Sequence, residues 1–177
     1  MRAVGYKHSR PIDQADSLID LEIEKPTAQG RDLLVEVKAV SVNPVDTKVR
    51  KRADPKGGAP KILGYDAAGV VAAVGSDAKL FKPGDEVFYA GSILRQGTDA
   101  EYHLVDERIV GAKPKTLDFA AAAALPLTSI VSPMRNGRST STQTPAKKFR
   151  RMSWSESPIT IPTTLNDVRI QPNAPWV

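Results

Sequence analysis

The chain has 177 residues, no cysteine and a formal net charge of +5. Without cysteine it can form no disulfide, no thiolate zinc site and no cysteine nucleophile. The charge is unevenly placed: residues 1–130 hold equal numbers of basic and acidic side chains, and the surplus falls in 131–177, where seven Lys/Arg face only Glu156 and Asp167.

A basic chain ordinarily suggests a nucleic-acid or anionic-membrane partner. Here the excess belongs to one segment, so no nucleic-acid partner is expected for the rest. The longest nearly apolar run, Phe119 to Leu127, is about half of what a bilayer span needs. Met1 to Gln14 has no apolar stretch resembling a secretory signal. The expectation is a cytoplasmic protein without a membrane partner.

In chain order, Arg2 to Tyr6 reads as a short strand, and Leu18 to Glu24 alternates apolar Leu21 and Ile23 with acidic neighbours. Leu34 to Val42 continues the period-two pattern, with Val35, Val37 and Ala39 on one face and Glu36 and Lys38 on the other. Asn43-Pro44 ends that strand, because proline cannot donate to a ladder. Val45 to Lys51 then fits one or two helical turns with Asn43 as N-cap and Pro44 at the first position. Lys56 to Pro60 reads as a Gly/Pro loop.

Ala67 to Val74 is almost wholly apolar and predicts a strand covered on both faces. Glycines at 64, 69, 75 and 84 read as backbone-geometry positions rather than phosphate contacts. Phe81 to Asp85 is a turn, with strands expected over Glu86 to Ala90 and Thr98 to Val105 and a loop from Gly91 to Gly97 between them. Asp118 to Leu125 predicts a helix capped by Asp118 and limited by Pro126. From 131 onward the composition changes: twelve Ser/Thr, six prolines and both tryptophans occur with no sustained period. Such a segment buries too little apolar surface to offset its ordering entropy, so a disordered basic tail is expected over 131–177.

The motifs Asn43-Pro44-Val45-Asp46, Leu63-Gly64-Tyr65-Asp66-Ala67-Ala68-Gly69-Val70-Val71, Val74-Gly75, Phe81-Lys82-Pro83-Gly84-Asp85-Glu86-Val87 and Ala121-Ala122-Ala123-Ala124-Leu125-Pro126-Leu127 occur together. In that order and spacing they resemble the medium-chain dehydrogenase/reductase superfamily, above all its zinc-type alcohol dehydrogenase-like and quinone oxidoreductase branch. The resemblance covers residues 1–130. It implies a mainly β fold with short helices, the GroES-like partly open β-barrel that forms the N-terminal catalytic domain of the family. Family members carry in addition a Rossmann domain that binds NAD(P)H, and no G-x-G-x-x-G fingerprint for it occurs in the 177 residues. The expectation is therefore a truncated member with that domain missing, its tail being either an out-of-frame extension or a natural one.

Zinc-dependent members place a cysteine near the start of the Asn-Pro-Val-Asp segment and a histidine in a Gly-His-Glu motif. This chain has Gly64-Tyr65-Asp66 and no cysteine, with His8 and His103 outside the motifs, so zinc is not expected. Zinc-independent members transfer hydride from NAD(P)H to quinones or activated carbonyl and enone substrates. By resemblance, Asn43 would face the nicotinamide-ribose region and Asp46 would fix the loop bearing it. Tyr65 would line the substrate cleft as the catalytic phenol, hydrogen-bonding a carbonyl. The residues alone also allow a helix cap, a first-turn acid and a packed tyrosine at these positions. Tyr89 and Arg95 lie near a loop that could border a cleft, and the basic run Lys147 to Arg151 reads as a solvated stretch.

Two functions stay open at this point. One is an NAD(P)H-dependent oxidoreductase domain that does not bind NADP(H) or NAD(H) stably and is inactive as this chain alone. The other is a non-catalytic GroES-like module that self-associates, pairs with a full-length reductase, or binds an anionic partner through its tail.

Overall fold

The structure, a computed structural model, describes residues 1–52 and 54–131. The expected tail and its basic run, from 132 on, lie outside the described residues. In chain order the elements are β1 (Arg2–Tyr6), β2 (Ile19–Glu22), β3 (Asp32–Ser41), α1 (Pro44–Arg52), β4 (Lys61–Ile62), β5 (Asp66–Val74), β6 (Glu86–Ala90), β7 (Tyr102–Asp106), β8 (Val110–Ala112), α2 (Phe119–Ala123) and α3 (Pro126–Val131). Two antiparallel sheets result, one of five strands in the order β7-β3-β5-β6-β8 and one of three in the order β2-β1-β4. A bridge between Ala3 and Ala100, with the Val4 N–H donating to the Asp99 carbonyl at 2.8 Å, joins them. The outcome is the mainly β, partly open barrel that the motifs imply.

The main core lies on one face of the larger sheet and holds Leu33, Val35, Val37, Ala67, Val71, Val87, Tyr89 and Val105. Ala39, expected on that same face, packs instead with Ala68, Ala122 and Ala123 beneath α2. The register of β3 on β5 shifts between Val37 and Ala39. A bulge there adds one residue and inverts the alternation beyond it. The same irregularity gives the alanine-rich α2 a flat surface of small side chains to pack on.

β5 is covered on both faces only as far as Val71, apart from half-buried Val70, and Ala72 is exposed. The expected strand from Thr98 narrows to β7, because residues 97–99 spend their backbone N–H groups on Ile62, Gly64 and Leu63 carbonyls in an irregular crossing. Gly69 sits where β5 meets β3: a Cβ built there would overlap the Glu36 carbonyl oxygen and lie 2.8 Å from Val35 Cγ1. A backbone carbonyl in a central ladder cannot yield, so Gly69→Ala is expected to cost about 2–4 kcal/mol in denaturant unfolding.

α2 is capped as expected, Asp118 Oδ1 accepting the Ala121 N–H at 2.7 Å. Pro126 does not simply end the helical region; it opens α3, where a proline at the first helical position leaves no donor wasted. Among the described residues no helix is long and apolar enough to cross a membrane.

Candidate functional site

Three chain segments far apart in sequence meet where β3, β5 and the α2–α3 connection end. The backbone N–H of Asn43 donates to Asp46 Oδ2 at 2.6 Å, and the Gly64 N–H donates to Asp46 Oδ1 at 3.0 Å. Asp46 thus uses both carboxylate oxygens to tie the start of α1 to the turn before β5. That turn needs its glycine: Gly64 has φ +86°, and a Cβ there would run into the Thr98 hydroxyl and the Asp99 carboxylate.

Asn43 was expected to cap α1 with its side chain, and it does not. Its Nδ2 donates to Asp66 Oδ2 at 3.0 Å and to the Ser41 carbonyl at 3.3 Å. Only the reciprocal half of a capping box is present, the acid Asp46 accepting the Asn43 N–H. Asp66, fully buried, also accepts the Leu127 N–H at 3.1 Å and so fastens the start of α3 to β5. Val42, Leu125 and Ile130, neighbours in sequence of these groups, are exposed.

Burial pushes the Asp66 carboxyl up to about 6, against the hydrogen bonds from Asn43 and Leu127 that favour its ionised form. Asp46 is raised by the same cause and opposed by its own N–H donors. Asp99, which flanks Gly64, is pushed up to about 7 by desolvation and then by the charge of Asp46.

Tyr65 points into this acidic neighbourhood rather than an open cleft. It is 1% exposed, its hydroxyl has no hydrogen-bond partner among the described residues, and burial lifts its pKa to about 12. The Thr98 hydroxyl is buried and unpartnered in the same way. The structure therefore brings Asn43, Asp46 and Tyr65 together with two residues that sequence reasoning did not single out, Asp66 and Asp99. A signal for Asp66 was present, an acid at the head of an otherwise apolar strand. For Asp99 there was none, because its position depends on the irregular 97–99 crossing.

The remaining candidates are occupied elsewhere. His103 Nε2 donates to the Gln96 carbonyl at 3.0 Å, which leaves Nδ1 to accept from the Tyr89 hydroxyl at 3.1 Å. Burial drives its pKa down to about 4, so the ring is neutral and has no nitrogen free. His8 is exposed beside Asp54. Arg95 makes a two-pronged pair with Asp32 at 2.8 and 2.7 Å. A cavity of about 310 Å³ lined by Met1, Ile62, Arg95, Tyr102 and His103 among others includes none of Asn43, Asp46, Tyr65 or Asp66.

The alcohol dehydrogenase GroES-like domain family matches residues 29–115. A zinc-type alcohol dehydrogenase-like protein of Staphylococcus aureus (strain COL) is 44% identical over 132 residues, which are 75% of this chain and 39% of that protein. The crystal structure of a putative zinc-dependent alcohol dehydrogenase from Rhizobium etli CFN 42 superposes with a TM-score of 0.72 at 66% identity, over 75% of this chain and 38% of that one. The chain belongs to the medium-chain dehydrogenase/reductase superfamily. The Escherichia coli quinone oxidoreductase, solved in complex with NADPH, shares the superfamily fold with a TM-score of 0.66 and 28% identity, over 76% of this chain and 40% of that one. This superfamily chain thus spans about two fifths of the length of these relatives, among them a quinone oxidoreductase.

Zinc does not fit this member's site. The chain has no cysteine, and among the described residues no three His, Cys, Asp or Glu side chains gather as a ligand set. The carboxylates that Asn43 contacts, Asp46 and Asp66, have every oxygen engaged by an N–H donor. Added zinc chloride is expected to leave the thermal midpoint unchanged; a rise reversed by a chelator would contradict this.

Proposed function

We propose that this chain supplies the catalytic-domain side of a zinc-independent, NAD(P)H-dependent oxidoreductase that reduces quinones or activated carbonyl and enone substrates. The observation that carries the reading is the convergence of Asn43, Asp46 and Asp66 at the ends of three elements, held by four hydrogen bonds to the two carboxylates, three of them buried, beside the exposed apolar Val42, Leu125 and Ile130. A polar cluster so tightly ordered next to bare apolar surface suits a cleft wall completed by a second domain.

A nicotinamide cofactor, when bound, supplies the hydride. The Asn43 amide oxygen, an acceptor with no partner among the described residues, fits a ribose hydroxyl. Asp46 holds the Asn43 backbone in place, while the Tyr65 phenol, enclosed and 1% exposed, packs behind this wall and does not reach the substrate. An unpartnered buried hydroxyl costs stability. Tyr65→Phe is therefore expected to fold as well as the parent or better, by up to about 1 kcal/mol, and to leave turnover of the fusion described below unchanged; lost turnover at unchanged stability would instead place the phenol at the substrate.

With no dinucleotide fingerprint in its 177 residues, the chain by itself is expected to give no measurable NADPH oxidation. Residues 1–131 joined to the cofactor-binding part of the Staphylococcus aureus relative should oxidise NADPH with a quinone or an alkenone. A fusion that binds NADPH and reduces neither would refute the reading. The same exposed residues also favour a second reading, a module that pairs with an intact reductase, which predicts co-purification lost on Val42→Asp.

A further inference from the structure

Every hydrogen-bond donor of Asn43 is committed. The backbone N–H goes to Asp46, and the two amide hydrogens go to Asp66 Oδ2 and to the Ser41 carbonyl. Its backbone carbonyl accepts the Asp46 N–H at 3.0 Å. What remains among the described residues is the amide oxygen Oδ1. The opposite rotation of the amide would press that oxygen against a carboxylate and a carbonyl, two acceptors with no proton between them. The environment therefore dictates which end of Asn43 is left for a ligand.

We propose that Asp66 sets the polarity of this site: by taking the Asn43 amide N–H it turns Oδ1 outward, so the site recognises a ligand through a donated hydroxyl or N–H. This rests on the proposed function, under which the donor is a ribose hydroxyl of the nicotinamide nucleotide. Asp66 is a positioning residue, since it acts through Asn43 and not on the ligand. Its second anchor, the Leu127 N–H, makes the arrangement rigid from the α3 side.

The device has a built-in condition. A protonated Asp66 is a poorer acceptor for the Asn43 N–H and a donor on one oxygen, so the bond that holds Oδ1 outward loosens, while a full turn of the amide is still opposed by the Ser41 carbonyl. The residues that meet Asp66 from β3, β6 and α3, namely Ser41, Ala90 and Leu127, carry no charge. Burial first, and then the charge of Asp46 on α1, the one ionisable group among the described residues bearing on it electrostatically, raise the Asp66 carboxyl to about 6. Ligand recognition by the acceptor end of Asn43 therefore belongs to neutral pH and fades in mild acid.

The test uses the 177-residue chain labelled with 15N and 13C. The Asp66 carboxyl carbon and the Asn43 side-chain NH2 signals are followed from pH 8 to pH 5, and the Asn43 signals are followed again in the labelled fusion with and without millimolar NADPH. The NH2 signals are expected to move with the Asp66 midpoint, and that transition should vanish in Asp66→Asn. NH2 signals that ignore the Asp66 titration, or that keep their transition in Asp66→Asn, overturn the proposal; if the variant does not fold, the parent's titration decides alone. With NADPH, an Asn43 shift at pH 7.5 that is lost at pH 5 supports it further. An Asn43 that tracks Asp66 but never responds to NADPH upholds the role of Asp66 and counts against the cofactor reading instead.

Discussion

Asp99→Asn is expected to raise the unfolding free energy at pH 8 by about 2–4 kcal/mol, at pH 5 by roughly a third to a half of that, and little at pH 3. The folded carboxyl is pushed up to about 7 from an ordinary 3.8, by desolvation first and the Asp46 charge second. A folded pKa above the unfolded one means the native state binds the extra proton. That contribution is fully present below 3.8 and is lost as pH rises through 7, where an ionised Asp99 sits against Asp46. Asparagine mimics the protonated acid at every pH and so removes the loss. His103 works in the opposite sense: its folded pKa of about 4 lies below the ordinary 6.5, so its contribution is present above 6.5 and lost as pH falls toward 4. Urea unfolding of parent and variant at pH 5 and pH 8 separates the two groups, because only the Asp99 part disappears in the variant. A variant equally stabilised, or equally destabilised, at both pH values would show that Asp99 does not carry the proton.

Asp46→Asn should be the most damaging isosteric change in the site, costing about 2 kcal/mol or more at pH 7. Asp46 accepts two buried N–H groups, from Asn43 and Gly64, one on each oxygen. An asparagine offers one acceptor and turns an NH2 toward the other donor, leaving it unsatisfied. Gly64 cannot relocate to compensate, since its left-handed backbone and its contacts with Thr98 and Asp99 fix it. The same substitution removes the charge that raises Asp99, so the Asp99 titration should move down from about 7. Stability loss together with that downward move distinguishes this account from simple local unfolding, which would return every acid in the neighbourhood to its ordinary range.

Most strands could be read from the sequence because period two and Pro/Gly punctuation are local: β1, β2, β3, β6 and the turn at Gly84 fall close to where Arg2–Tyr6, Leu21/Ile23, Val35/Val37 and Pro83-Gly84 point. Failures occur where tertiary contacts overrule that signal. The bulge that sends Ala39 beneath α2 depends on register against β5, and the irregular run at 97–99 depends on carbonyls supplied by Ile62 to Gly64. α3 was missed because Pro126 was weighed as a stop although it serves equally well as a start.

For the site, motif spacing brought Asn43, Asp46 and Tyr65 forward, but their bonding could not be inferred from it. Whether Asn43 caps α1 or serves Asp66 depends on an acceptor 23 residues away. Asp99 acquires its character from enclosure by neighbours, which has no one-dimensional signature.

The claim that Asn43 faces the cofactor is tested most directly by steady-state kinetics of the fusion described above, with Asn43 intact and as Asn43→Ala. Losing one neutral hydrogen bond to a ribose hydroxyl should raise KM for NADPH about 3- to 10-fold. KM for the quinone should stay within a factor of about two. An unchanged KM for NADPH in a folded Asn43→Ala fusion would contradict the account.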